Sequence, residues 1–189
     1  MRPGAGFFAE IDGGTDPAVV SEAADRAANL LVRGAHATDD PGVAERILHL
    51  AETQGIETIA EVWSGSPADS LAGCLWRLFL LRSWVYADPV GVSREYDAGV
   101  LQAPVAQVVA GVAEPPGPEE LKTMVDEVLR GIAVSEFADV LFRAAAFSRV
   151  VATGRAVLPE PSEPDVRRML VLAEQLEAAG HEELAHGLS

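Results

Sequence analysis

Apolar residues recur along this chain at three- and four-residue steps almost from end to end. That is the spacing of helices that bury one face. The cleanest run is 119–132, where Leu121, Met124, Val125, Val128, Leu129 and Ile132 share a side. Near 17–33 the stripe is Val19, Val20, Ala23, Ala27, Leu30 and Leu31, and near 41–53 it is Val43, Ile47, Leu48 and Leu50 or Ala51. A short helix is predicted at 56–63, another after Asp88 through Val90, Val92, Tyr96 and Val100, and a small apolar helix or irregular run at 104–112. Phe137, Val140, Leu141, Ala144, Phe147 and Val151 mark a helix over about 136–153. A last long helix covers 163–179, with a frayed tail beyond it. Strand-type alternation is weak at 7–11 and 155–158 and absent elsewhere. The expected fold is therefore all-α, a single compact domain of about seven or eight helices.

The segment 67–86 breaks the amphipathic rule. From Leu71 to Tyr86 it is apolar around its whole circumference except for Arg77 and Arg82, so it is predicted to be the central helix. Neither arginine has an acid one turn away, because positions 73, 78, 81 and 86 are Gly, Leu, Leu and Tyr. A guanidinium stays charged and is costly to bury alone, so each must meet a carboxylate from another element or a bound anion. The two stand about 140° apart around a helix axis, which suits two separate contacts.

Helix starts are marked by Asp16-Pro17, Asp40-Pro41, Ser66-Pro67 and Asp88-Pro89, each a side-chain acceptor followed by a residue with no amide hydrogen. Ser66 with Asp69, and Ser162 with Asp165, have capping-box spacing. Gly34, Gly55, Gly65, Gly154 and Gly180 follow periodic runs and read as helix stops. The run Ala113-Glu114-Pro115-Pro116-Gly117-Pro118 reads as a hinge at 113–118, separating an N-terminal helical group from a C-terminal three-helix group within one domain over 16–189. Residues 1–15 read as a flexible N-terminus.

Composition narrows the function classes. Of 189 residues, 49% are hydrophobic but only 6% aromatic, so small aliphatic side chains must fill a closely packed core. The net charge of −15 disfavours nucleic acid and anionic membranes, whose affinity rests on cationic contacts. A basic protein partner suits that charge, and solubility alone also accounts for it. Leu71–Val85 is too short and too charged for a membrane span. With one cysteine, Cys74, and no recognisable secretory signal, the expected location is the cytoplasm. Cys74 itself reads as a buried, inert thiol.

Candidate chemistry is sparse. His181 and His186 are five apart rather than four, so the pair does not make a zinc-protease motif. Gly4-Ala5-Gly6 and Gly13-Gly14 lack the strand–helix context of a phosphate loop. His36 and His49 stand alone, the carboxylate doublets fall at helix starts, and the serines show no nucleophile-elbow spacing. No catalytic residue, metal ligand or cofactor site is predicted. Glu22/Arg26, Asp126/Arg130 and Asp139/Arg143 are structural pairs four residues apart. Arg77, Arg82 and Arg149 have no such partner and are the candidate anion ligands; pairs with Glu61, Glu95, Asp97 or Glu136 are the structural alternative. Trp63, Trp76 and Trp84 are the candidates for an aromatic pocket or interface, with Trp76, Phe79 and Leu80 on one side of the helix. Core packing is the alternative for these aromatics.

Two stretches, Leu75 to Trp84 and Ala144 to Gly154, resemble a group of short, uncharacterised actinobacterial proteins, with a likeness that extends over about 41–156. The resemblance implies a bacterial cytoplasmic protein and no particular activity. Two functions are therefore carried forward. The first is a non-enzymatic, self-associating or partner-binding module with an acidic surface. The second is a binder of a small anion, or an enzyme acting on one, through Arg77, Arg82 or Arg149.

Overall fold

The structure is a computed structural model that describes residues 17–38, 49, 53, 62–100, 102, 117–159 and 161–188. Regular structure among them is entirely helical. The six helices are α1 (Pro17–Thr38), α2 (Leu71–Ala87), α3 (Pro89–Val100), α4 (Pro118–Val134), α5 (Phe137–Val157) and α6 (Glu163–Ala185). Of the segments expected to be helical, residues 41–48, 50–52, 56–61 and 104–112 lie outside the described residues, as do the N-terminal 15 and residues 113–116 of the hinge, while His49 and Thr53 are described and helical. Helices from both sides of that hinge share one hydrophobic core.

The described helices form a compact body in which α5 makes the widest contacts, packing on α3, α4 and α6. Its length is buried almost continuously from Phe137 to Gly154. The sequence assigns the central place to 67–86, but α2 keeps Trp76, Arg77, Leu80 and Trp84 partly open to solvent. Helices α5 and α6 run antiparallel, held by the Arg149–Glu177 ion pair and by Phe142 against His181, whose rings meet edge-on 5.0 Å apart. Trp63 is a core residue, stacked on Phe79 at 6.0 Å and donating its indole N–H to the Ala24 carbonyl (3.1 Å). Tyr96 stacks on Phe147 at 5.6 Å where α3 crosses α5.

Several boundary rules are overruled by packing. Ser70, not Ser66, caps α2, its hydroxyl accepting from the Gly73 amide (3.1 Å) while Pro67 stays in the preceding turn. Gly34, Gly154 and Gly180 lie inside helices rather than ending them. At Gly154 and Gly180 the missing side chain serves close approach, since a Cβ would strike Glu95 or Phe142. Most of the stripe expected to be buried on α1 is turned outward, although Leu31 packs against the core. Ala24, Ala28 and Val32 are buried, whereas Val19, Ala23 and Ala27 are exposed and Leu30 is 70% exposed.

The C-terminus is docked instead of frayed. Glu183 accepts from both terminal nitrogens of Arg33 (2.5 and 2.7 Å) and from the Leu188 amide (2.7 Å), and Leu188 is buried. These contacts tie the end of α6 back onto α1.

Cys74 is buried, as its place on α2 implies, and its thiol lies 3.4 Å from the Ala68 carbonyl. Burial pushes the thiol pKa up from 9.0 to about 12. Only the thiolate reacts readily. Iodoacetamide at pH 8 should therefore alkylate the native protein roughly a thousandfold more slowly than the unfolded chain. Mass spectrometry of native and denaturant-treated samples will read the difference. Equal labelling would show the thiol to be open.

Candidate functional site

Residues 76, 77, 80, 81 and 84 of α2 face residues 165, 168, 169, 172 and 175 of α6 across an open groove of about 470 Å³. The 3.6-residue repeat aligns each set along its helix, and the helices run antiparallel, with Arg77 beside Gln175 at one end. Trp84, Arg155, Asp165 and Arg168 line the opposite end. The floor and walls are Trp76, Leu81, Trp84, Met169 and Leu172. Leu80 and Val171 sit on the rim, 42% and 44% exposed.

The charged residues of the groove differ in how they are compensated. Arg155 grips Glu95 with two hydrogen bonds (2.7 and 2.8 Å) and lies over the Trp84 ring with its guanidinium carbon 5.1 Å from the centroid. Arg168 pairs with Asp165, whose carboxyl is held below its usual pKa by a hydrogen bond with Ser162 and then by Arg168. Arg77 is different. Its Nε donates to Gln175 Oε1 and its Nη1 to the Gly73 carbonyl, both at 2.8 Å. Both acceptors are neutral, and among the described residues no carboxylate touches this guanidinium. Burial accordingly lowers its pKa from the ordinary arginine value. Among the described residues the groove thus holds one guanidinium with no carboxylate in hydrogen-bonding contact, and Asp69 acts on it only through space.

The three arginines singled out in the sequence do not converge. Arg82 is buried and its Nε donates to Asp126 Oδ1 (2.7 Å), with Tyr86 donating its hydroxyl to Oδ2 (2.7 Å). Its guanidinium also lies 4.0 Å from the Tyr86 ring centroid. Arg149 pairs with Glu177. Interhelical ion pairing is therefore the fate of both, though with acids other than those expected. Glu95 belongs to Arg155, and Glu61 lies outside the described residues. Of the tryptophans, Trp76 and Trp84 enter the groove and Trp63 does not. Phe79 turns into the core, away from Trp76 and Leu80.

Arg155, Arg168 and Gln175 complete the site and were not legible as functional. Arg168 has an acid within three residues, and a lone glutamine has no sequence signature. A second hollow, about 660 Å³, also touches Gln175 and is lined by Asp69, Glu182 and small residues. Among the described residues no three metal-ligating side chains cluster, and no helix is long and apolar enough to cross a membrane. No protein family, curated protein or solved structure matches the chain.

Proposed function

We propose that this protein is a non-enzymatic interaction module that receives a helical segment of a partner protein in the α2–α6 groove. The observation that carries this reading is the ladder Trp76, Leu80 and Trp84, one residue per turn, facing a second ladder on α6 across an open trough. Each ladder runs roughly 12–15 Å, about two to three helical turns. A third helix can lay its i, i+4 and i+7 side chains between two such rows. Tryptophan, methionine and arginine at a half-open site are also the composition of an interface centre. Among the described residues the lining holds no serine, cysteine or histidine that could act as nucleophile or base. The reading places the module in the cytoplasm, where Cys74 stays reduced.

Tryptophan fluorescence tests the reading, because Trp76 and Trp84 line the trough while Trp63 is sealed in the core. Titration with a designed four-turn amphipathic peptide bearing leucines at i, i+4 and i+7 should shift the emission to the blue. Leu80→Asp should weaken binding roughly tenfold or more, as loss of an anchor does, without lowering the melting temperature. Emission unmoved by the peptide at millimolar concentration would dispose of the groove as a docking site.

A further inference from the structure

We infer that the segment received by the groove is acidic at one point, with a single carboxylate seated on Arg77 at the Gln175 end. The inference rests on the docking reading above and adds the chemistry of the partner. Three guanidiniums line the trough, and Glu95 and Asp165 neutralise two of them. Arg77 alone among these three is held by neutral acceptors, Gln175 and the Gly73 carbonyl. A helix bundle that needed only a structural contact here would place a carboxylate at 175, because a half-buried guanidinium is better stabilised by an opposite charge. An amide instead fixes the arginine in position and preserves its charge. The Arg77 Nη2 hydrogens remain available to an incoming carboxylate, since Nε and Nη1 are the nitrogens engaged. The Gln175 amide nitrogen is a further donor at the same end, because its oxygen is turned to Arg77.

The charge count also sets the occupant. One guanidinium without a carboxylate in direct contact matches a monoanion, so polyphosphates are poorly suited. The chain as a whole is −15, and Asp69 and Glu182 line the adjoining hollow, so the surrounding field opposes an acidic ligand and direct contact with Arg77 is what favours one. The trough is long enough for two turns of helix and holds its cation at one end. A glutamate or aspartate one turn outside an apolar i, i+4, i+7 face meets both features. The partner is therefore an acidic amphipathic helix rather than the basic segment that net charge alone suggests.

Three designed peptides test this, alike in their leucine face and differing only in one residue at the Arg77 end: Glu, Gln or Lys. Tryptophan fluorescence should rank them Glu over Gln over Lys, with Glu favoured about tenfold over Gln, as a charge-assisted hydrogen bond requires. That preference should shrink at high salt. Gln175→Glu supplies the missing carboxylate from within the fold. It should abolish the Glu preference while leaving the apo melting temperature equal or higher, so the outcome does not depend on a damaged protein. Arg77→Gln should likewise level the three peptides. If the wild type binds all three equally, the acidic anchor is wrong and the groove reading survives. If it binds none, the groove reading fails and takes the anchor with it. Decanoate binding more tightly than the Glu peptide would assign the site to a small carboxylate. Light scattering that shows a dimer, with the peptides unable to enter, would assign it to a second copy. Either result overturns the inference.

Discussion

Replacing Asp126 by alanine should cost about 3–5 kcal/mol of stability, the largest loss expected from any single charge among the described residues. Its carboxylate answers two groups on α2 at once, the Arg82 guanidinium and the Tyr86 hydroxyl. The Arg82 side chain is 8% exposed and that of Asp126 15%. Alanine takes the Asp126 carboxylate away from a guanidinium in that setting, where water cannot enter freely to replace it. At roughly 2–4 °C per kcal/mol for a chain of this size, the melting temperature should fall by about 10 °C in circular dichroism. The matched double variant, Arg82→Met with Asp126→Leu, removes the charge together with its partner and should recover most of that loss. Glu22 and Arg26 form an equally short pair, 2.6 Å, on an open surface of α1. Breaking that pair should cost only about 0.3–0.5 kcal/mol. If Asp126→Ala costs no more than this, α2 and α4 are not joined by a buried charge.

That contrast also explains why this pair was hidden in the sequence. Asp126 has Arg130 one turn later, an arrangement that reads as self-sufficient within α4. The fold spends the acid on another helix because Arg82, embedded in an apolar run, has the greater need. Arg77 was legible as an arginine lacking a local acid. Its place beside a glutamine 98 residues away was not, because an amide can serve almost anywhere. The residues that α6 gives to the groove alternate with exposed ones and look from the pattern like an ordinary surface.

Helix identity was legible where volume and period agree. The stripe of α4 from Leu121 to Ile132 is buried as its spacing requires. On α1 the same reasoning chose the wrong face. Alanines at 23, 24, 27 and 28 make more than one side look apolar, and packing selected the row whose small side chains let neighbouring helices come close. Leu30, the larger residue, was left outside. Sequence period establishes that a helix is amphipathic, but an alanine-rich helix needs its neighbours to decide which face is inward.

Gly154→Ala should be nearly as damaging as the loss of Asp126, for a purely steric reason. A Cβ at 154 would lie far closer than 3.0 Å to the Glu95 carbonyl oxygen, and one at Gly99 would collide in the same way with the Val150 carbonyl. The obstacles are backbone atoms of the facing helix, so no rotamer change relieves them. Helix α3 must move off α5, loosening the Tyr96–Phe147 stack and the Arg155–Glu95 pair that hang on the crossing. In an exposed helix alanine would gain about 1 kcal/mol over glycine. Here overpacking should reverse that sign and cost about 3 kcal/mol, measured by urea denaturation. Gly34 provides the control, because a Cβ there meets nothing within 4 Å. Gly34→Ala should be neutral or stabilising by up to about 1 kcal/mol. Because Arg155 also lies over Trp84, displacement of α3 should reach the groove as well. Gly154→Ala should therefore alter tryptophan emission and weaken peptide binding even in the fraction that remains folded, an effect that Gly34→Ala should not share.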